Sequence, residues 1–99
     1  MEYNILYHHL IKGEDLPRIP VNIRQRIKLA IEERMLKEPF LSGAPLRHSL
    51  KGHRKMRVGD YRIIYRIEQN NIIVLKIGHR KDIYRKVLSR IYFSLMPHR

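Results

Sequence analysis

The chain has 99 residues, of which 43% are hydrophobic, and its 21 lysines and arginines outnumber nine acidic residues to give a formal net charge of +12. Length and hydrophobic content predict a single domain over residues 1–99 with one core, and they exclude a disordered chain. The charge favours nucleic acid, an acidic membrane surface or an acidic protein as a partner, and the lack of cysteine excludes a disulfide framework and a thiolate metal site.

The first predicted elements are a strand, an ambiguous segment and a helix. Residues 3–7 are rich in side chains that suit a strand, whereas residues 8–16 are ambiguous because a central glycine weakens a helix there. A helix is predicted to begin at Pro20, since proline is tolerated in the first turn, and to end near Lys37 before Pro39. Its apolar stripe has spacings of three and four: Ile23, Ile27, Ala30, Ile31 and Met35.

The second half of the chain predicts a loop, three strands and a last helix. Residues 40–46 combine serine, glycine and proline and form the loop, and strand patterns follow over 53–58, 61–68 and 72–78. The last helix is capped by Asp82 and carries an apolar stripe: Ile83, Val87, Leu88, Ile91 and Leu95. This order predicts an α+β domain, in which an N-terminal strand and a three-strand meander form a small antiparallel-rich sheet with the helices packed on one face.

Alternation within the strands places basic side chains on the open face of that sheet. His53, Lys55 and Arg57 alternate with core residues of the first meander strand, and a tight turn brings Arg57 close to Arg62. Further polar residues follow the last strand and enter the helix: Arg80, Lys81, Tyr84 and Arg85. Cations from adjacent strands, with a phenol beside them, form a suitable binding site for the phosphodiester group of a nucleic acid.

Such a set suits the cleavage of RNA, which carries its own nucleophile, the ribose 2′-hydroxyl. Cleavage requires that this hydroxyl be deprotonated, that charge on the five-coordinate phosphorus be stabilised and that the departing 5′-oxygen be protonated. Arginine and lysine can stabilise the charge without a metal. The alternatives are that each arginine is only solvated surface and that Tyr84 simply packs at the start of the helix. The histidines lack ligand spacing, so neither a metal nor another cofactor is expected.

Two blocks, RVGDYRIIYRI at 57–67 and IGHRKDIYR at 77–85, closely resemble the RelE/ParE toxin superfamily. The loop GAPLRHSLKG at 43–52 and the helical segment RIKLAIEERMLKEP at 26–39 are similar to that family as well, so the resemblance covers about residues 15–88. It implies a toxin of a type II toxin–antitoxin system, neutralised by an antitoxin from the same operon. RelE-like members cut messenger RNA in the ribosomal A site, whereas ParE-like members share the fold and poison DNA gyrase.

The resemblance also implies roles for individual residues. Lys55 and Arg57 match basic positions that contact the phosphate, and Arg62 matches the arginine that stabilises the transition state. Arg80 matches the arginine proposed to assist the leaving group, and Tyr84 matches the proposed general base. These matches favour a ribosome-dependent, metal-free mRNA endoribonuclease of the RelE branch. A ParE-like gyrase inhibitor without nuclease activity is the alternative, and a basic module that binds RNA without chemistry is a third hypothesis.

Further RNA contacts are expected from Lys51, His53, Lys81 and Arg85. His53 departs from the best-studied family pattern, which has an additional lysine there. The implied partners are an acidic, partly disordered antitoxin that folds over the basic face, messenger RNA with the ribosome, and operator DNA only through the antitoxin complex. No apolar run approaches the roughly 20 residues that span a bilayer, and the N-terminus shows no secretory signal, so we expect the cytoplasm and no membrane partner.

Overall fold

The structure, a computed structural model, describes the backbone of residues 2–95 and the side chains of residues 2–92. Its strands are β1 Asn4–Tyr7, β2 Ala44–Pro45, β3 Arg54–Val58, β4 Tyr61–Glu68 and β5 Asn71–His79. They form one sheet in the order β1-β5-β4-β3-β2, in which β1 runs parallel to β5 and the other neighbours are antiparallel. The predicted α+β fold with an antiparallel-rich sheet is confirmed. The short β2 lies inside the segment that the sequence predicted as a loop.

Helical segments connect β1 to β2. The ambiguous segment after β1 winds through one π-helical turn, Ile11–Asp15, and one 3-10 turn, Leu16–Arg18. Helix α1, Val21–Ala30, begins directly after the proline predicted to open it and continues as a π-helical turn, Ile31–Met35. The predicted apolar stripe is confirmed, and its buried members are Ile27, Ile31 and Met35. The helix therefore forms for the reason that the sequence indicates, which is the burial of one face.

The main core lies between these helical segments and one face of the sheet. The sheet contributes apolar residues that are nearly inaccessible to solvent: Met56, Val58, Ile63, Tyr65, Ile72, Val74 and Ile77. The buried Tyr65 hydroxyl donates to the carbonyl oxygen of Pro39 at 2.7 Å, so its polar atom keeps a partner. A Cβ at Gly43 would lie 2.6 Å from that hydroxyl and 2.8 Å from the carbonyl oxygen of Lys55, so β2 approaches β3 closely only because residue 43 is glycine.

A second, smaller core lies on the opposite face. Ile64 and Leu75 of the sheet pack with three residues of the C-terminal segment: Ile83, Val87 and Ile91. Helix α2, Val87–Leu95, therefore packs on the face that the sequence analysis left open. The sequence pattern predicted all helices on one face of the sheet, and for this helix the prediction is wrong. The helix packs on the other face because Ile64 and Leu75 provide apolar partners for its stripe. A short 3-10 helix, His48–Leu50, also contributes to this face, because Leu50 packs against the second core.

A β-bulge creates part of that second core. The register between β4 and β5 pairs Ile64 with Lys76 but Tyr65 with Val74, so Leu75 is an extra residue in β5. A bulge lets two consecutive side chains lie on one side of a sheet, and here Leu75 joins Lys76 on the α2 side.

Helix α2 begins later than predicted. Residues 81–86 form turns, and the helix starts at Val87 rather than directly after Asp82. Lys86 has a φ of 56°, in the left-handed region, and such a residue interrupts a right-handed helix. Leu88 is 52% exposed and so lies outside the buried stripe, while the predicted contact of Leu95 lies outside the described side chains. Within residues 2–95, the helices are all too short or too polar to cross a membrane.

Candidate active site

Lys55 on β3 and Tyr84 in the turn before α2 meet on the α2 face of the sheet. The Nζ atom of Lys55 donates to the Oη atom of Tyr84 at 2.9 Å and lies 5.5 Å from the centre of its ring. The phenol is 46% exposed, so a ligand can reach it from solvent. An ammonium group that donates to a phenol oxygen stabilises negative charge on that oxygen.

Arg57 and Arg62 lie directly opposite each other in the β3–β4 hairpin. The Nη1 atom of Arg62 donates to the carbonyl oxygens of Gly59 and Tyr61, both at 2.9 Å. Gly59 has a φ of 59°, which lets the turn close tightly. Like charges directly opposite on two strands repel each other, so this pair does not stabilise the fold and instead concentrates positive potential at the hairpin.

Arg80 joins this group from the end of β5. Its backbone N–H donates to the carbonyl oxygen of Asp60 at 2.8 Å, which fixes the start of the turn 80–86 to the hairpin. Its Nε atom lies 3.8 Å from Oδ1 of Asp60, but the two side chains are 58% and 70% exposed. So loose a surface pair leaves the guanidinium available to a ligand. The structure thus brings the five predicted catalytic residues together around the β3–β4 hairpin.

The four residues predicted to bind RNA differ in exposure. Lys51, Lys81 and Arg85 are exposed. His53 is only 8% exposed, which does not suit a side chain predicted to contact RNA. Burial, followed by the charge of Arg66, lowers the pKa of His53, so the ring is neutral near pH 7.

A buried ion pair behind the site went unnoticed in the sequence. The guanidinium of Arg90 donates to both carboxylate oxygens of Asp15, at 2.5 and 2.7 Å, and each side chain is 4% exposed. Arg90 also donates to the carbonyl oxygen of Leu75 at 3.1 Å, and Asp15 accepts the N–H of Ile77 at 2.9 Å. Because the pairing of β1 with β5 ends at Val74, Asp15 and Arg90 provide hydrogen-bond partners for the backbone of β5 beyond that residue. The partners are 75 residues apart, so no local spacing reveals them.

Among the described residues, no group of three or more histidine or acidic side chains is placed to hold a metal ion. The side chains that do meet at the site are cations and one phenol. The site can bind a polyanion, stabilise added negative charge and transfer a proton at the phenol oxygen.

Comparisons with known proteins identify the family. A family model described as the ParE toxin of the type II toxin–antitoxin system parDE matches residues 13–84. Toxin RelG of Mycobacterium tuberculosis is 36% identical over 74 residues, which cover 73% of this chain and 85% of that protein.

Two solved structures share the fold. The toxin–antitoxin complex RelBE2 from Mycobacterium tuberculosis matches with a TM-score of 0.74 at 28% identity, covering 81% of this chain and 100% of that chain. A mutant of the E. coli toxin RelE in the free state matches with a TM-score of 0.73 at 18% identity, covering 97% of this chain and 100% of that chain. The chain therefore belongs to the RelE/ParE family of toxins of type II toxin–antitoxin systems.

Proposed function

We propose that this toxin is a ribosome-dependent mRNA endoribonuclease that uses the ribose 2′-hydroxyl as nucleophile and needs no metal. The observation that supports this best is the hydrogen bond from Lys55 Nζ to Tyr84 Oη, at 2.9 Å, at the β3–β4 hairpin that also carries Arg57 and Arg62. A phenol in contact with an ammonium group is equipped to act as a base, which a purely protein-binding surface does not need.

In this proposal Tyr84 takes the proton from the 2′-hydroxyl. Lys55 stabilises the phenolate that does so and then contacts the phosphate. The 2′-oxygen attacks the phosphorus, the bond to the 5′-oxygen breaks, and the products are a 2′,3′-cyclic phosphate and a 5′-hydroxyl. Arg80 lies at the exposed rim and would stabilise the charge on the departing oxygen, which takes its proton from solvent.

Arg57 and Arg62 would hold the scissile phosphate. The hydrogen bonds of Arg62 to the turn carbonyls use only Nη1, so within the described residues the rest of its planar fork is available for two phosphate oxygens. Lys51, Lys81 and Arg85 are exposed and would extend the contact along the RNA backbone. His53 is left out of the proposed contacts because its ring is buried.

The ribosome enters the proposal because the site is open. Tyr84 is 46% exposed, and an open surface lacks the walls that would orient a flexible RNA strand. A ribosome holds messenger RNA in a fixed path and would supply that orientation. The toxin would accordingly act in the cytoplasm.

An antitoxin is the second proposed partner. The structure of RelBE2 is that of a toxin–antitoxin complex, and we propose a cognate antitoxin for this toxin as well. With a formal net charge of +12, the toxin favours an acidic chain that covers the basic face. Contact with operator DNA would come only through that complex.

The test is primer extension on messenger RNA from a translating extract. Purified toxin should cut in phase with codons and only when ribosomes are present. Tyr84→Phe should slow cleavage by about 10²-fold or more, because it removes the proposed base. Tyr7→Phe is the matched control, since this half-exposed tyrosine lies on β1, separated from β3 by two strands, and it should cut like the wild type. Full activity of Tyr84→Phe would remove the tyrosine from the mechanism.

A ParE-like inhibitor of DNA gyrase is the second candidate function. It is supported by the family model that matches, which is that of the ParE toxin. If folded wild-type protein cuts no RNA with or without ribosomes, a gyrase supercoiling assay should detect inhibition, and that inhibition should survive Tyr84→Phe. Binding of RNA with a steep salt dependence but without products would instead support a basic module without chemistry.

A further inference from the structure

We propose that Lys76, on β5, is a positioning residue that holds the turn 80–86 so that Tyr84 lies against Lys55. The catalytic consequence of this inference rests on the proposed nuclease function, whereas the geometric consequence does not.

The sheet aligns Lys76 with the site. Ile64 of β4 lies opposite Lys55 on one side and opposite Lys76 on the other, so the three residues form one row across three strands. Side chains in such a row share a face of the sheet, here the α2 face. The turn 80–86 crosses this row, because Ile83 packs in the same core cluster as Ile64 while Tyr84 contacts Lys55.

The ammonium group of Lys76 binds the turn on both sides of the tyrosine. Its Nζ atom donates to the carbonyl oxygen of Arg85 and lies 3.4 Å from that of Asp82. Tyr84 is one residue before the first carbonyl and two residues after the second. Lys76 and Lys55 thus contact the turn from two neighbouring positions, one through the backbone and one through the phenol.

The turn needs such an anchor. Lys86 has a left-handed φ of 56°, so the helical geometry of α2 does not extend back to Tyr84. A cavity of about 300 Å³ borders the turn and is lined in part by Lys76, Asp82, Arg85 and Lys86, which leaves space into which an unanchored turn can shift. Burial and the nearby charge of Arg90 lower the pKa of Lys76, which is the environment of a lysine engaged in the structure rather than one extended into solvent.

The kinetic test compares Lys76→Met with Lys76→Arg. The methionine keeps the length of the side chain but cannot donate, so kcat for cleavage of ribosome-bound RNA should fall by about 10- to 100-fold with an unchanged KM. The arginine can still donate to the carbonyls and should restore most of kcat. Lys28→Met, which removes one exposed charge from α1, should behave like the wild type. Unchanged kcat in Lys76→Met would overturn the inference.

A second measurement separates this inference from the nuclease proposal. In the folded wild-type toxin, nuclear Overhauser effects should connect the Tyr84 ring with the Lys55 side chain. They should disappear in Lys76→Met and persist in Lys76→Arg and Lys28→Met, whether or not the protein cuts RNA. Persistence of these signals in Lys76→Met would overturn the inference. If Lys76→Met does not fold, Lys76→Gln replaces it, because the amide is too short to reach both carbonyls, and the same outcomes apply.

Discussion

The buried pair of Asp15 and Arg90 predicts strong thermodynamic coupling between two distant parts of the chain. Asp15 lies in the helical turns after β1, and Arg90 lies on α2. We consider Asp15→Asn, Arg90→Met and the double variant. Asparagine can still accept the N–H of Ile77 with its amide oxygen, but it loses the charge and the second oxygen that accepts from Arg90.

The magnitude follows from burial and remaining partners. Removing one member of a buried ion pair costs about 3–5 kcal/mol in free energy of unfolding, because the other charge is left in the interior. Glu14 lies 3.8 Å from Arg90 and keeps it partly paired, so Asp15→Asn should cost about 3 kcal/mol, the lower end of that range. Arg90→Met should cost about 4 kcal/mol or more, because Asp15 keeps its charge and the carbonyl of Leu75 loses its donor.

The assay is urea unfolding of the four proteins, followed by circular dichroism. In the double variant no buried charge is left unpaired, so its loss should be smaller than the sum of the two single losses by about 2 kcal/mol or more. For a domain of this size, the loss in Asp15→Asn corresponds to a fall in Tm of about 12 °C or more. Single losses below about 1 kcal/mol, or additive losses in the double variant, would refute the argument that this pair is buried and coupled.

Three further predictions concern single residues. His53 has a lowered pKa in the folded protein, so the unfolded chain takes up a proton first as pH falls below about 6.5. Urea unfolding between about pH 7 and 5 should therefore show a steeper loss of stability in the wild type than in His53→Gln. Equal slopes in the two proteins would contradict the burial of the ring. Gly43→Ala should cost about 1–3 kcal/mol in thermal unfolding, because the new methyl group meets Tyr65 and backbone, whereas Gly13→Ala, which has nothing within 4 Å of the new atom, should not destabilise. Arg62→Lys should lower the rate of RNA cleavage by about 10²-fold without unfolding the protein, because lysine lacks the planar fork; wild-type cleavage by this variant would exclude two-pronged phosphate binding.

Alternation explains why much of the sheet could be predicted. Arg54 and Lys55 are both basic, yet the strand period assigned them to opposite faces, and the structure agrees: Arg54 donates to the carbonyl of Gly43 on the core side, while Lys55 contacts Tyr84 on the other. The same period separated Ile63 from Ile64, which belong to different cores.

Features that depend on contacts between distant segments could not be predicted. His53 lies on the face that strand alternation predicted, but its burial follows from the segment 46–50. Two backbone hydrogen bonds join that segment to His53: Leu46 N–H donates to the His53 carbonyl, and His53 N–H donates to the Leu50 carbonyl. The contact of Lys55 with Tyr84 spans 29 residues; the sequence predicted a phenol beside the cations of the strands, but no local spacing identified Lys55 as its partner. The place of α2 depends on the bulge in β5, which has no signature in a continuous apolar run.

The bulge at Leu75 also constrains how the length of this chain can vary. It divides β5 into two stretches with opposite phase, so Ile72 and Val74 face the main core while Lys76 faces α2. Deleting Leu75 would restore an even ladder in which Val74 still faces the main core and Lys76 still faces α2, because Leu75 is the residue that interrupts the alternation. The cost would fall on the second core, which would lose the buried Leu75 side chain. Deleting Ile73 would instead make Ile72 and Val74 neighbours, so one of them would have to leave the main core. The strand can therefore lose one residue without reversing a face at the bulge, but not at Ile73.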